Sequence, residues 1–199
     1  MSKKRVALII IGAIILLIGG AAAWMLGPAL LPPKNIDVGI AVGDKAPVEM
    51  ELLDSTGKTS SLGGNMGENG MVLFLVRSAD WCPFCKAQLI RTNDIRNAIS
   101  KKGYALASVS YDAPDILAEF AADKGIGYVM LSDPGSRLID ALGLRDPQYG
   151  KGSYAEGVPR ASILILAPDG MVQEKYVAAD YRSRPSNDDV LAMLKKVTG

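Results

Sequence analysis

Two cysteines, Cys82 and Cys85, stand two residues apart in the stretch Ala79-Asp80-Trp81-Cys82-Pro83-Phe84-Cys85-Lys86, and the 199-residue chain has no others. A thiolate is the nucleophilic form of cysteine, and the backbone N–H groups and dipole at a helix start lower a thiol's pKa. A Cys-x-x-Cys pair delivered onto a helix N-terminus is therefore a device for thiol exchange. Cys82, carried out of a strand by the turn and expected to be exposed, would attack a disulfide. Cys85, one turn into the helix, would resolve the mixed disulfide. Pro83 fits the first helical position, where its missing N–H costs nothing. A structural zinc site needs four ligands, and this chain offers two cysteines and no histidine. A purely structural disulfide would close a very short loop, where the entropic gain is smallest. A non-catalytic soft-metal site, for copper for example, is a further reading, but no Met or His lies close by to complete it.

Composition narrows the chemistry. With no histidine in the chain, Ser-His and Cys-His catalysis and histidine pH switching are excluded. Setting aside Lys3, Lys4 and Arg5 leaves 19 basic against 21 acidic residues, so there is no basic footprint for nucleic acid. The pattern calls for no resident cofactor and no metal. The hydrophobic fraction of 49% is enough for a sizeable core.

Residues 1–5 form a basic head, and Val6 to Leu26 carry no charge. As a helix this run would rise about 31 Å, matching a hydrocarbon core of ~30 Å. The expectation is an uncleaved transmembrane anchor over 6–26, N-terminus cytoplasmic and the remainder extracytoplasmic. The competing reading is a signal peptide cut after Ala21-Ala22-Ala23. Residues 27–41, with Gly27-Pro28 and Pro32-Pro33, read as a linker to a domain over 42–199.

Within that domain, Met50–Leu53, Thr59–Leu62 and the continuous apolar run Met71–Arg77 read as strands. A helix is expected over Pro83–Lys102, stopped by Gly103. Tyr104–Ser110 reads as a strand, then a helix opened by Asp112, Pro114 and Asp115. Tyr128–Leu131 is a strand, and Asp133-Pro134 starts a short helix. Arg145–Gly157 is a loop, and Ser162–Leu166 and Met171–Val177 form a hairpin around Pro168-Asp169-Gly170. Ser186 with Asp189 caps the last helix. The order β-β-β-α-β-α-β-α-β-β-α gives an α/β fold whose central mixed sheet is parallel in part and flanked by helices.

The stretch Ala79–Lys86 resembles the thioredoxin active-site loop. Val42-Gly43-Asp44-Lys45-Ala46-Pro47 resembles the opening of the redoxin family, the alkyl hydroperoxide reductase/thiol-specific antioxidant group with its membrane-tethered thiol-disulfide oxidoreductases. This resemblance covers 42 to about 198 and implies a thioredoxin-like fold. It implies that Trp81 shields the sulfurs and that Val158-Pro159 is a cis-proline loop facing the cysteines and holding extended substrate. Arg160-Ala161-Ser162-Ile163 resembles the peroxiredoxin stretch whose arginine lowers the reactive thiol's pKa. Two positions depart from the peroxiredoxin pattern. A Thr or Ser three residues before the cysteine and a Pro seven before it become Ala79 and Leu75, with Ser78 as a partial substitute. The buried acid of thioredoxin becomes Val76, leaving Asp80 and Glu156 as candidate proton acceptors. Arg182 and Arg184 read as a solvated loop that alternatively lines the site.

These observations imply a membrane-anchored, extracytoplasmic thiol-disulfide oxidoreductase working through Cys82 and Cys85 with a thiol electron donor. The alternative is a peroxiredoxin-like peroxidase acting on hydroperoxides. The partners expected are a protein disulfide or hydroperoxide, the donor and the membrane.

Overall fold

The computed structural model describes residues 3–30 and 33–199. Helix α1 spans Lys3–Leu30 and exposes large apolar side chains such as Leu8, Leu16 and Trp24. Among the described residues no helix is long and apolar enough to cross a membrane. The expectation set a span over 6–26 behind a basic head, whereas α1 runs Lys3–Leu30 and takes Lys3, Lys4 and Arg5 into the helix. The transmembrane helix, the membrane partner and the extracytoplasmic placement are corrected accordingly.

The remainder is an α/β fold. Strands β1 (Leu52–Asp54), β2 (Thr59–Ser60) and β3 (Gly70–Leu75) come first. Helix α2 (Pro83–Thr92) follows, then α3 (Arg96–Ser100) and β4 (Tyr104–Ser110). Helix α4 (Pro114–Lys124), β5 (Val129–Ser132) and α5 (Arg137–Ala141) continue the alternation. Strands β6 (Ser162–Leu166) and β7 (Val172–Val177) make the hairpin, and α6 (Asn187–Thr198) closes the chain. The sheet order is β2-β1-β5-β4-β3-β6-β7, with β3, β4 and β5 mutually parallel and β6 antiparallel to β3.

Every residue of β3 is buried because its two faces feed separate cores. Val72 and Phe74 pack with Leu89, Ile99, Leu117 and Leu194 on one side. Met71, Leu73 and Leu75 pack with Leu138, Ile139 and Leu142 on the other. The period-2 alternation of a strand side chain thus turns one continuous apolar run into the partition between two layers. Ile36, Val38 and Ile40, in the stretch read as a linker, pack against the second core. Their backbone is tied in by Ile36 N–H to Val177 O (2.9 Å) and Ile40 N–H to Leu142 O (2.8 Å).

Two local readings change. The single helix expected over Pro83–Lys102 is interrupted at Asn93–Ile95 by a 3-10 turn. There Asn93 Oδ1 accepts from Gly127 N–H (2.9 Å) and its Nδ2 donates to Gly125 O (3.1 Å), drawing the turn toward the next crossover. Asp112 does not cap α4, whose N-cap is Ala113 with no side-chain bond. The Ser186–Asp189 capping box does form at α6.

Candidate functional site

Strand β3 hands the chain to the cysteines through a buried turn. Ser78 Oγ donates to Asp112 Oδ1 (2.8 Å), and Ala79 N–H and Ser110 Oγ donate to Asp112 Oδ2 (2.7 and 2.8 Å). Ser78 Oγ in turn accepts from the N–H groups of Asp80 (2.9 Å) and Trp81 (3.2 Å). One carboxylate at the end of β4 therefore fixes the loop that leads into Cys82. Local pairs of polar residues read as a helix cap in sequence, and here the turn won the competition for the side chain.

Cys82 is the N-cap of α2 in extended conformation, and Pro83 lies in the helix's first turn. The N–H of Cys85 donates to Cys82 Sγ at 3.3 Å, so the helix start is aimed at that sulfur, as a lowered thiol pKa requires. Cys82 and Cys85 are joined in a disulfide with Cα atoms 5.3 Å apart. Exposure of the first cysteine was expected, but Cys82 is 1% and Cys85 0% exposed.

Aromatic side chains surround the turn. Trp81 Nε1–H donates to Tyr111 OH at 3.0 Å, and its ring meets Tyr154 edge-to-face at 5.8 Å. Tyr154 meets Tyr149 at 5.6 Å and Phe84 meets Tyr181 at 5.9 Å. Inside this rim sits Arg77, with its guanidinium 4.2 Å from the Tyr181 centroid, 4.7 Å from Tyr149 and 5.6 Å from Trp81. Arg77 also pairs with Asp146 Oδ2 at 3.0 Å.

The cation on the sulfurs is not the expected one. Arg184 Nη2 donates to Cys85 Sγ at 3.4 Å. Arg160 instead donates its backbone N–H to Leu144 O (2.7 Å), and its side chain lines a cavity of about 150 Å³ with Asp146, Gln148, Asp180 and Arg182. Burial first, then the charges of Arg77 and Arg91, push the Arg184 guanidinium down to about 9, still cationic at neutral pH. The signal in sequence was the pair of arginines in Tyr181–Pro185, read there as a solvated loop.

The cis-proline is also corrected. The described residues contain no cis peptide bond. Val158 and Pro159 are buried, and Pro159 bridges Arg145. Asp146 N–H donates to Val158 O (2.9 Å) and Val158 N–H to Ala155 O (3.1 Å). The chain's own 144–146 segment thus pairs with the main chain of residues 158–160. Asp80 and Glu156 are exposed, and the buried acids around the site are Asp112 and Asp146.

Burial pushes the Asp112 carboxyl up, and its bonds from Ala79, Ser78 and Ser110 pull it part of the way back. A carboxyl that holds its proton more tightly folded than unfolded loses stabilisation as pH rises through its range. The wild type is expected to lose stability from about pH 4 upward until the raised value is passed. Asp133 is pushed up as well, again by burial first, so the comparison isolates Asp112. In Asp112→Asn, urea midpoints across pH should show a shallower decline than wild type. Asp112→Ala, which strands three donors, should cost roughly 2–3 kcal/mol at neutral pH.

A partly parallel sheet, a dithiol pair on a helix N-terminus and a cation beside it define a redox enzyme of thioredoxin-like architecture. The description AhpC/TSA family matches residues 42–175, and the chain belongs to that family. It is 28% identical over 144 residues to the bcp protein of Haemophilus influenzae, which bears a provisional peroxiredoxin name, covering 71% of this chain and 91% of that one. It is 23% identical over 199 residues to the thiol-disulfide oxidoreductase ResA of Bacillus thuringiensis, covering 100% and 99%. The crystal structure of peroxidoxin BcpB from Mycobacterium tuberculosis superposes with a TM-score of 0.67 at 21% identity, over 80% of this chain and 99% of that one. The protein is an oxidoreductase acting on thiols or peroxides.

Proposed function

We propose that the protein is a thiol-disulfide oxidoreductase in which Cys82 exchanges with a substrate disulfide or thiol and Cys85 resolves the mixed disulfide. The observation that carries this reading is the disulfide between the two, with Cys85 N–H directed at Cys82 Sγ. The exchange needs no cofactor, because the two electrons move between sulfurs. A thiol carrier supplies them when the enzyme works as a reductase. Trp81, Phe84 and Tyr181 would form the rim a partner must enter.

Peroxidase action on hydroperoxides is the second reading, favoured by the match to the bcp protein over most of that protein's length. Against it, Ala79 offers no hydroxyl, and Ser78 Oγ is already committed to Asp112. The test is a side-by-side assay of the wild-type protein on a small disulfide with a thiol reductant and on hydrogen peroxide. Disulfide exchange well above background with little peroxide loss is expected. Peroxide turnover without disulfide exchange would reverse the two readings.

A further inference from the structure

Arg184 rests on Cys85 Sγ and meets the positive charges of Arg77 and Arg91. Arg77, from the turn after β3, has Asp146. Arg91, from α2, is half-buried and donates to Pro185 O at 2.7 Å, and burial lowers its pKa. Asp180, the nearest acid on the loop of Arg184, is engaged by Arg182 at 2.8 Å, and Tyr176 approaches from β7. Arg184 Nε is shut off from solvent with no hydrogen-bond partner, while its Nη2 rests on Cys85 Sγ. In the disulfide state this cation faces a neutral sulfur. Only the cleaved pair places an anion there.

We propose that Arg184 is a catalytic residue that receives Cys85 as its thiolate, and that it biases the pair toward accepting electrons. The inference rests on the dithiol reading above and adds a direction to it. A donor thiolate attacks Cys82 Sγ, a new S–S bond joins donor and Cys82, and the Cys82–Cys85 bond breaks. The electron pair of that bond leaves on Cys85 Sγ beside Arg184. A second donor thiolate then attacks the donor sulfur of the mixed disulfide and releases Cys82. Two donor thiols have become a disulfide, and the site has gained two electrons. A leaving thiol of lower pKa leaves faster, and stabilising the reduced form raises the potential. Cys82 is served by the helix start and Cys85 by the guanidinium, so the two thiolates are stabilised by different groups.

The geometry also explains how a loop residue is held on a sulfur. Pro185 follows Arg184 directly, and its carbonyl is gripped by Arg91. Asn187 Nδ2 donates to Arg91 O at 2.8 Å, and the Ser186 capping box starts α6 at once. The approach of Arg184 is thus fixed from both α2 and α6.

The test compares wild type with Arg184→Met and Arg184→Lys. The equilibrium of each with a glutathione redox buffer is read by alkylation and mass spectrometry. Arg184→Met should shift the equilibrium constant at least tenfold toward the disulfide, about 30 mV for two electrons. In a Cys82→Ser background, thiolate absorbance against pH should show the Cys85 thiol titrating higher in Arg184→Met, with Arg184→Lys restoring part of the shift. Melting curves confirm that each variant is folded, and the Lys variant carries the test if the Met variant is not. Unchanged equilibrium and thiol titration in a folded variant would overturn the proposal. Both measurements are independent of turnover, so an enzyme without exchange activity would defeat the functional reading while leaving the role of Arg184 separately decided.

Discussion

Replacing Cys82 with Ser is expected to reduce disulfide exchange to the uncatalysed background, whereas Cys85→Ser should still react once and hold its partner as a stable mixed disulfide. The asymmetry follows from position. Cys82 is the N-cap residue, and the Cys85 N–H donates to its sulfur. Cys85 lies inside the helix at 0% exposure, against 1% for Cys82 at the helix start. Without Cys82, no sulfur is offered to an incoming disulfide. Without Cys85, nothing displaces the partner once it is bound. Non-reducing electrophoresis and mass spectrometry of the Cys85→Ser adduct read the trap directly. The fold should survive both changes, because a disulfide with a sequence separation of 3 closes a loop worth roughly 2 kcal/mol at most. Melting temperatures therefore separate lost chemistry from lost structure. Exchange persisting in Cys82→Ser would falsify the assignment of the attacking sulfur.

The parts of this molecule that local pattern determines were legible in the chain. Met71–Leu75 and Ile163–Leu166 are apolar without interruption because β3 and β6 lie next to each other with both faces covered. The Cys-Pro-Phe-Cys turn and the Ser186–Asp189 box are closed by residues three apart, and both formed as read. What was not legible depends on returns of the chain. Arg184 is 99 residues from Cys85 and reaches it only because β7 and the loop after it fold back over α2. Arg160 carries the more suggestive motif, but its backbone is drawn to Leu144 and its side chain faces the cavity beside Asp146.

Asp112 illustrates the same limit at short range. Its spacing to Asp115 fits a helix start, and only the parallel register of β3 and β4 brings it beside Ser78 and Ala79. The Val158-Pro159 motif gave no sign of the pairing between residues 158–160 and the chain's own 144–146 segment. In the amino-terminal run, composition alone suggested a membrane span. The structure overturns that reading, because no helix among the described residues is long and apolar enough to cross a membrane.

The largest stability effect is expected at Arg77. Its side chain and that of Asp146 are 1% and 6% exposed, and they meet at 3.0 Å. The guanidinium is also enclosed by the faces of Tyr181, Tyr149 and Trp81. Deleting one member of a buried pair strands the other charge, and that costs about 3–5 kcal/mol. Arg77→Met should therefore lower the melting temperature by about 10 °C for a domain of this size. Arg77→Met with Asp146→Leu removes both charges together, and it should recover half or more of that loss. The pair also joins the turn before Cys82 to the loop carrying Tyr149 and Tyr154, a separation of 69 residues. Losing it should loosen the aromatic rim over a disulfide that is otherwise closed off. The Cys82–Cys85 bond of Arg77→Met is then expected to be reduced faster by a small thiol than that of the wild type, at a temperature where both are folded. Equal melting temperatures would remove the pair from the stability of the fold. Equal reduction rates would show that the rim stands without it.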